Sequence, residues 1–277
     1  MNNLQKEKVL IQGSDSFLGK SFANYLDSKN LQVLRVCSAN SNNYELESLE
    51  RLITEKNPIY FFDYQFKLVS SKNSDYEIYD EHTFFNAQNN LISILNKTNE
   101  INKQVYLFSS RYVEENKSTY SNLKLKQENI YKSLLNKNIF FEVFRLNTIL
   151  GSGDKNLNRA IPHFFNSIFN CQKAVFESTG SQAANFSFID DVNWFVYKKV
   201  FQSENVVLNN FSCTYFDLIH YISAYVIENF DYEHSVEWAE GRKSTYTFDV
   251  PAEVTQDIHK IVNWYFENME EIKLLNG

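Results

Sequence analysis

Short apolar runs alternate with amphipathic stretches through the first half of the chain, at the spacing of strand–helix units, and this alternation constrains the fold more than any other feature. Lys8–Ile11 reads as a buried strand, followed by a Gly/Ser turn and a helix over Phe17–Ser28. Leu31–Cys37 supplies a second strand, Tyr44–Glu55 a second helix and Pro58–Asp63 a third strand. A helix at Thr83–Lys97, a strand at Gln104–Ser109, a helix at Thr119–Asn136 and a strand at Ile139–Arg145 complete the run. Such an order predicts an α/β fold, a doubly wound parallel sheet covered by helices on both faces.

The pattern loosens after Gly151, where Ser152-Gly153-Asp154 marks a turn and Ala160–Cys171 a helix. Two amphipathic helices follow near the end, Tyr215–Asn229 and Val254–Leu275. Two interdigitated lobes are therefore predicted. One comprises residues 1–150, with 186–210 returning to it; the smaller one is built from 151–185 and 211–277.

Composition removes several classes of function. With 43% hydrophobic and 16% aromatic residues but only 7 Gly and 3 Pro in 277 residues, the chain can bury a core and is neither disordered nor collagen-like. A net charge of −7 argues against a nucleic-acid partner, which needs clustered Lys and Arg. No apolar run approaches the ~20 residues that cross a bilayer, and the opening Met1–Lys8 stretch lacks the apolar segment of a signal peptide, so no membrane association and a cytoplasmic location are expected. Cys37, Cys171 and Cys213 show neither zinc nor Cys-x-x-Cys spacing, and the five histidines show no ligand pattern. No disulfide and no metal are expected.

The first chemical signal is Gly13-Ser14-Asp15-Ser16-Phe17-Leu18-Gly19, between the first strand and the first helix. Small residues there let the backbone approach a pyrophosphate, while the helix start offers N–H donors and the positive end of the dipole. Ser16 stands where a middle glycine would complete a Gly-x-x-Gly-x-x-Gly turn; a serine is small and can also donate to phosphate. The alternative for this segment is an ordinary strand-to-helix turn.

Tyr120 and Lys124 form the second signal. At i and i+4 of a helix they share a face, so the ammonium would favour the phenolate and suit the tyrosine to proton transfer. The spacing recurs at Tyr25 and Lys29, which read as solvent-facing. Tyr120 differs in context: it opens the helix after the fourth strand, and Ser109-Ser110 close that strand where ligands bind in parallel sheets.

With these motifs the chain resembles the extended short-chain dehydrogenase/reductase family of nucleotide-sugar epimerases, dehydratases and 4-keto reductases. Tyr120–Glu128 is similar to that family's Tyr-x-x-x-Lys-x-x-x-Glu helix, and Asn86 falls where the family places an asparagine in the preceding helix. Phe144–Asp154 is similar to the segment that meets nicotinamide and substrate, Gly180-Ser181-Gln182 and Phe186–Val192 to a later substrate-side signature, and Val207-Leu208-Asn209 to the strand that follows. Five of the seven glycines, Gly13, Gly19, Gly151, Gly153 and Gly180, lie in these segments. Asp190-Asp191 would then cap a helix.

The sequence also departs from the family. The stretch between Ser110 and Tyr120 is short, Ala184 stands where many relatives place an arginine, and the third strand ends Phe62-Asp63-Tyr64-Gln65 where small residues are expected.

What the resemblance implies is a Rossmann-type fold with a smaller C-terminal substrate-binding lobe, and an NAD(P)-dependent oxidoreductase. Ser110, Tyr120 and Lys124 would be catalytic; Gly13, Ser16, Phe17, Leu18, Gly19, Cys37, Ser38 and Lys124 would hold the cofactor; Ser110 and Thr148 would meet a nucleotide-sugar substrate. An acid at the end of the second strand would favour NAD, and Val36-Cys37-Ser38-Ala39-Asn40 offers none, so NADP (NADPH) is preferred, with NAD as second choice. The expected reaction is reduction of a nucleoside-diphosphate 4-keto-6-deoxy-hexose, by a homodimer formed through the helices near Thr83–Lys97 and Thr119–Asn136. The alternatives are a 4-epimerase with retained NAD and a catalytically silent dinucleotide-binding protein.

Overall fold

The computed structural model describes residues 8–37, 43–64, 68–70, 76–78, 81–97, 103–115, 118–239 and 252–276. These form two compact units, residues 1–146 and 147–277.

The first unit runs β1 (Lys8–Gln12), α1 (Phe17–Ser28), β2 (Gln32–Val36), α2 (Asn43–Lys56), β3 (Tyr60–Asp63), a small hairpin β4 (Leu68–Ser70) and β5 (Tyr76–Ile78), α3 (Glu81–Lys97), β6 (Gln104–Ser110), α4 (Tyr112–Glu115), α5 (Thr119–Leu134) and β7 (Phe140–Leu146). The five long strands form one parallel sheet in the order β2-β1-β3-β6-β7. All five were legible as apolar runs. The hairpin and α4 were not, because three- and four-residue elements carry too little periodicity to read.

Topology locates the crevice. The chain steps from β1 to β2 on one side and then returns across β1 to β3, so right-handed crossovers put α1 on one face and the later helices on the other. Side chains follow the same division. Leu10, Phe61, Val105 and Leu107 of the sheet pack with Leu49 and Ile53 of α2, Leu91, Ile92 and Leu95 of α3, and Tyr131 of α5. On the opposite face Phe22 of α1 meets Phe62 edge-on at 5.0 Å, and Phe62 stacks on Tyr106 at 4.9 Å. Tyr64 stacks on Phe108 at 3.9 Å on that side too. The point where winding reverses lies at the carboxyl ends of β1 and β3, where doubly wound sheets bind their ligands.

The second unit contains β8 (Thr148–Leu150), α6 (Ala160–Phe169), β9 (Ala174–Phe176), β10 (Ala183–Phe188), α7 (Ile189–Phe201), β11 (Phe211–Thr214), α8 (Tyr215–Phe230), β12 (Val236–Trp238), α9 (Ala252–Glu267) and α10 (Met269–Lys273). Its strands make a three-stranded sheet β11-β10-β8 and a pair β12-β9. The core is aromatic: Phe165 of α6 stacks on Tyr265 of α9 at 4.2 Å, and the Tyr265 hydroxyl donates to the Asp154 carbonyl at 2.6 Å. Gly180, at φ +64°, has no room for a side chain, since a Cβ there would lie 2.4 Å from the Trp238 ring.

Three expectations are corrected here. Residues 186–210 lie in the second unit, because β10 pairs with β8 and β11 and not with the five-stranded sheet. Val207-Leu208-Asn209 is not a strand; the strand is β11, a few residues on, where Phe211 can bury against Phe186 at 5.5 Å while Val207 stays 81% exposed. Asp190 and Asp191 do not cap α7: Phe188 holds the cap position, and both acids sit in the first turn, where they face the positive end of the helix dipole.

Candidate active site

The opening turn is built from local hydrogen bonds. Gly13 takes φ +76°, and the N–H groups of Gly13 and Ser14 donate to the Val36 carbonyl at 2.8 and 3.0 Å, tying the turn to the end of β2. Ser16 is the N-cap of α1. Its hydroxyl donates to the Gly13 carbonyl at 2.6 Å and accepts from the Gly19 N–H at 3.1 Å. Gly19 is required by close approach: a Cβ there would lie 2.1 Å from the Gly13 carbonyl oxygen.

This geometry corrects the role given to Ser16, whose hydroxyl proton is committed to the turn and not offered to a phosphate. Phe17 and Leu18 follow the cap at the positive end of a helix with no acidic residue in its first turn. A pyrophosphate would meet the positive end of the helix dipole there, and the close backbone approach at Gly13 and Gly19 fits a dinucleotide.

At the end of β2, Cys37 is exposed; Ser38 lies outside the described residues. Arg35 is turned to α1, where its guanidinium pairs with Asp27 and donates to Asn24 Oδ1 at 3.3 Å. It is thereby committed to the helix surface.

The second cluster joins β6 to α5. Ser118 caps α5 in a reciprocal capping box with Ser121, which sets the helix start just ahead of Tyr120. Tyr120 is half-buried and Lys124, one turn later, is buried. Lys124 Nζ donates to the Phe108 carbonyl at 3.1 Å and to Gln127 Oε1 at 3.3 Å. Burial pushes the amine down to about 7, against the opposing pull of the Asp63 and Glu128 carboxylates. Ser110, two residues beyond Phe108, is buried at the end of β6, and its Oγ accepts from the Tyr112 N–H at 3.3 Å. The carboxyl end of β6 and the first two turns of α5 thus carry Ser110, Tyr120 and Lys124, on the same edge of the parallel sheet as the glycine turn.

Thr148 belongs to the second unit, where its Oγ1 lies 3.5 Å from the Tyr215 hydroxyl. Asn86, on α3, is exposed. Tyr25 and Lys29, the other pair at this spacing, form an ammonium–ring contact at 5.0 Å at the end of α1.

Sequence reasoning did not assign two further arrangements. Glu128 is fully buried and accepts from Arg145 Nε at 3.0 Å, the other Arg145 nitrogen at 2.8 Å and Ser109 Oγ at 2.7 Å. Burial alone would raise this carboxyl; the bonds from Arg145 and Ser109 outweigh it and hold it below the usual range. Asp63, also fully buried, accepts from the Tyr131 hydroxyl at 2.6 Å. The available signal was a charged residue closing an otherwise aromatic strand, Tyr60-Phe61-Phe62-Asp63. Among the described residues, no group of His, Cys, Asp and Glu is disposed to hold a metal ion, and no helix is long and apolar enough to cross a membrane.

No protein-family model and no curated protein matches the sequence. Solved structures match along nearly the whole chain. A UDP-glucuronic acid 4-epimerase from Bacillus cereus, in complex with UDP-glucuronic acid and NAD, is 12% identical, with a TM-score of 0.69 over 94% of this chain and 99% of that one. A dTDP-glucose 4,6-dehydratase from Bacillus anthracis in complex with NAD is 16% identical, with a TM-score of 0.70 over 95% and 97%. A GDP-L-fucose synthetase from Naegleria fowleri bound to NADP is 14% identical, with a TM-score of 0.66 over 99% and 96%. The Rossmann-type α/β fold inferred from strand order is thus the fold of these nucleotide-sugar enzymes.

Proposed function

We propose that the protein is an oxidoreductase of the extended short-chain dehydrogenase/reductase type that reduces a keto group on a nucleotide-linked sugar, with NADPH as the preferred cofactor. What supports the reading is that Ser110 ends β6 while Tyr120 and the buried Lys124 lie in the first two turns of α5, at the carboxyl edge of the sheet that also holds the glycine turn. A 4-keto-6-deoxy-hexose on a nucleoside diphosphate is the substrate class this reading favours. The similar solved structures, whose names include an epimerase, a dehydratase and a GDP-L-fucose synthetase, support the substrate type.

In this reading the start of α1 at Phe17 and Leu18 would receive the pyrophosphate, Gly13 and Gly19 would keep the backbone close to it, and Cys37 would lie toward the adenosine end. When bound, the reduced nicotinamide would supply the hydride that the carbonyl carbon takes up. Tyr120 gives its phenolic proton to the carbonyl oxygen as charge builds there, and Ser110 donates a hydrogen bond to the same atom. Lys124 holds the ribose hydroxyls, and its positive charge favours the phenolate left behind. A cytoplasmic homodimer paired through α3 and α5 belongs to the same proposal; it is supported by the groove there, lined by Ile92, Asn96 and the exposed Leu134.

A second reading, a 4-epimerase that retains NAD, has its own support. Arg35, the arginine of β2, is tied to Asp27 and Asn24, so it offers no clasp for a 2′-phosphate.

Purified protein is to be incubated with a panel of nucleotide-linked keto-sugars while oxidation of NADPH and NADH is followed. Consumption of NADPH supports reduction; a tightly held dinucleotide that does not exchange supports epimerisation. Tyr120→Phe is expected to lower turnover by about 10²- to 10⁴-fold while leaving dinucleotide affinity unchanged. Turnover equal to the wild type would remove Tyr120 as the acid.

A further inference from the structure

Asp63 closes β3 behind three aromatic residues and has no exposed surface. In the sheet it lies opposite Leu107 of β6, the residue before Phe108, whose carbonyl receives Lys124 Nζ at 3.1 Å. Tyr131 lies two turns beyond Lys124 on the same face of α5, is also fully buried, and donates to Asp63 Oδ2 at 2.6 Å. Its ring stacks on Phe141 of β7 at 5.6 Å, which fixes the direction of the hydroxyl. Asp63, Lys124, Gln127 and Tyr131 therefore form a buried polar layer between α5 and the sheet, beside a core lined by Leu10, Phe61, Val105 and Leu107.

A carboxylate buried there costs several kcal/mol unless a cation compensates it. The charged and titratable groups facing this layer can be assigned element by element. Glu128 on α5 is taken by Arg145 of β7, Ser109 of β6 and Lys132 of α5. From α3, which packs on α5, the stretch Phe85–Asn96 contains no charged residue. The apolar α2 side chains in this core are Leu49, Leu52 and Ile53. Lys124 brings its ammonium to this layer from α5, and the Asp63 charge is the larger of the two that oppose the effect of burial on its amine.

We propose that Asp63, braced by Tyr131, is a positioning residue for Lys124: its buried carboxylate anchors the ammonium at the sheet edge and keeps it charged where proton transfer takes place. The proposal rests on the reading of Lys124 as part of that site, but the pairing is measurable without substrate or cofactor.

In protein labelled with ¹³C-lysine, the Lys124 signal is identified by its disappearance in Lys124→Met, and its titration is followed in the wild type and in Asp63→Asn. Asp63→Asn is expected to lower the Lys124 midpoint by about one unit or more, a tenfold loss of the charged form on the alkaline side. A midpoint unchanged in folded Asp63→Asn overturns the proposal. If that variant does not fold, the pairing is read from the other side: in Lys124→Met the orphaned Asp63 must take up a proton in the folded state, so relative to the wild type stability should be lost as pH rises between about 4 and 7. An equal pH dependence overturns it. Wild-type protein that shows the lysine shift but binds neither NADPH nor NADH would remove the functional reading and leave the pairing standing.

Discussion

The opening turn and the layer beneath α5 solve different problems at the same edge of one sheet. The turn is held mainly within seven residues, with Ser16 bonded to Gly13 and Gly19 and one tie to Val36 of β2, and carries its positive potential on backbone N–H groups. The layer gathers charges from distant parts of the chain: Tyr131 and Asp63 are 68 residues apart, and Ser109 and Glu128 are 19 apart. The role proposed for the turn depends on atoms being absent, so that a backbone can approach an anion. Under α5 it depends on each buried charge having a partner, since an orphaned one is costly.

The strongest way to break this comparison is to put an atom into the turn. Gly19→Ala places a methyl 2.1 Å from the Gly13 carbonyl oxygen, a backbone atom with no freedom to give way. The expected loss is about 3 kcal/mol or more, read from the denaturant midpoint, together with weaker dinucleotide binding. Stability within about 0.5 kcal/mol of the wild type would show that the turn adapts.

Next in size is removal of a partner under α5. Arg145→Met leaves Glu128 buried with only Ser109 and the partly exposed Lys132, which lies 3.4 Å away. A loss of about 2–3 kcal/mol is expected, toward the low end for a broken buried pair because the Arg145 side chain is 32% exposed. Denaturant unfolding of Arg145→Met beside Glu128→Gln would show whether the cost follows the orphaned charge, in which case the double variant recovers part of it.

A probe that needs no substitution is pH. The Lys124 amine sits at about 7 in the folded chain against the ordinary 10.5, so between these values the unfolded chain binds more protons and rising pH favours the folded state. Stability should therefore climb from about pH 7 toward 10 by up to about 1.4 kcal/mol per unit from this group. Above about 10 the trend should reverse, because Tyr64, Tyr131 and Tyr265 are held in their protonated form by burial while unfolded tyrosines ionise. Lys124→Met should flatten the rise, and a rise that persists in that variant would assign it to another group.

The five strands of the sheet were legible because each is an apolar run bounded by turn residues, and the helix bearing Tyr120 because its polar and apolar positions recur with helical period. Ser110, Tyr120 and Lys124 were singled out as candidates by spacing and by place in the strand–helix order. Asp63 was visible only as an anomaly at the end of an aromatic strand, and nothing local to Tyr131 marks it as its partner. The return of residues 186–210 to the first lobe was misjudged for a related reason: strand pairing is a long-range choice, and Ala183–Phe188 found its register against Thr148–Leu150.

By itself, the order of residues determined the class of fold, the glycine turn, the capped start of α5 and the phenol–amine spacing, because each depends on backbone conformations and side-chain periodicities set within a few positions. The tertiary structure alone decided what Ser16, Arg35 and Asp63 do. Ser16 spends its proton inside the turn, Arg35 is drawn to α1, and Asp63 is enclosed beneath α5 with Tyr131. Those outcomes turn on which groups meet once water is excluded, and burial and pairing of charge are properties of the packed chain.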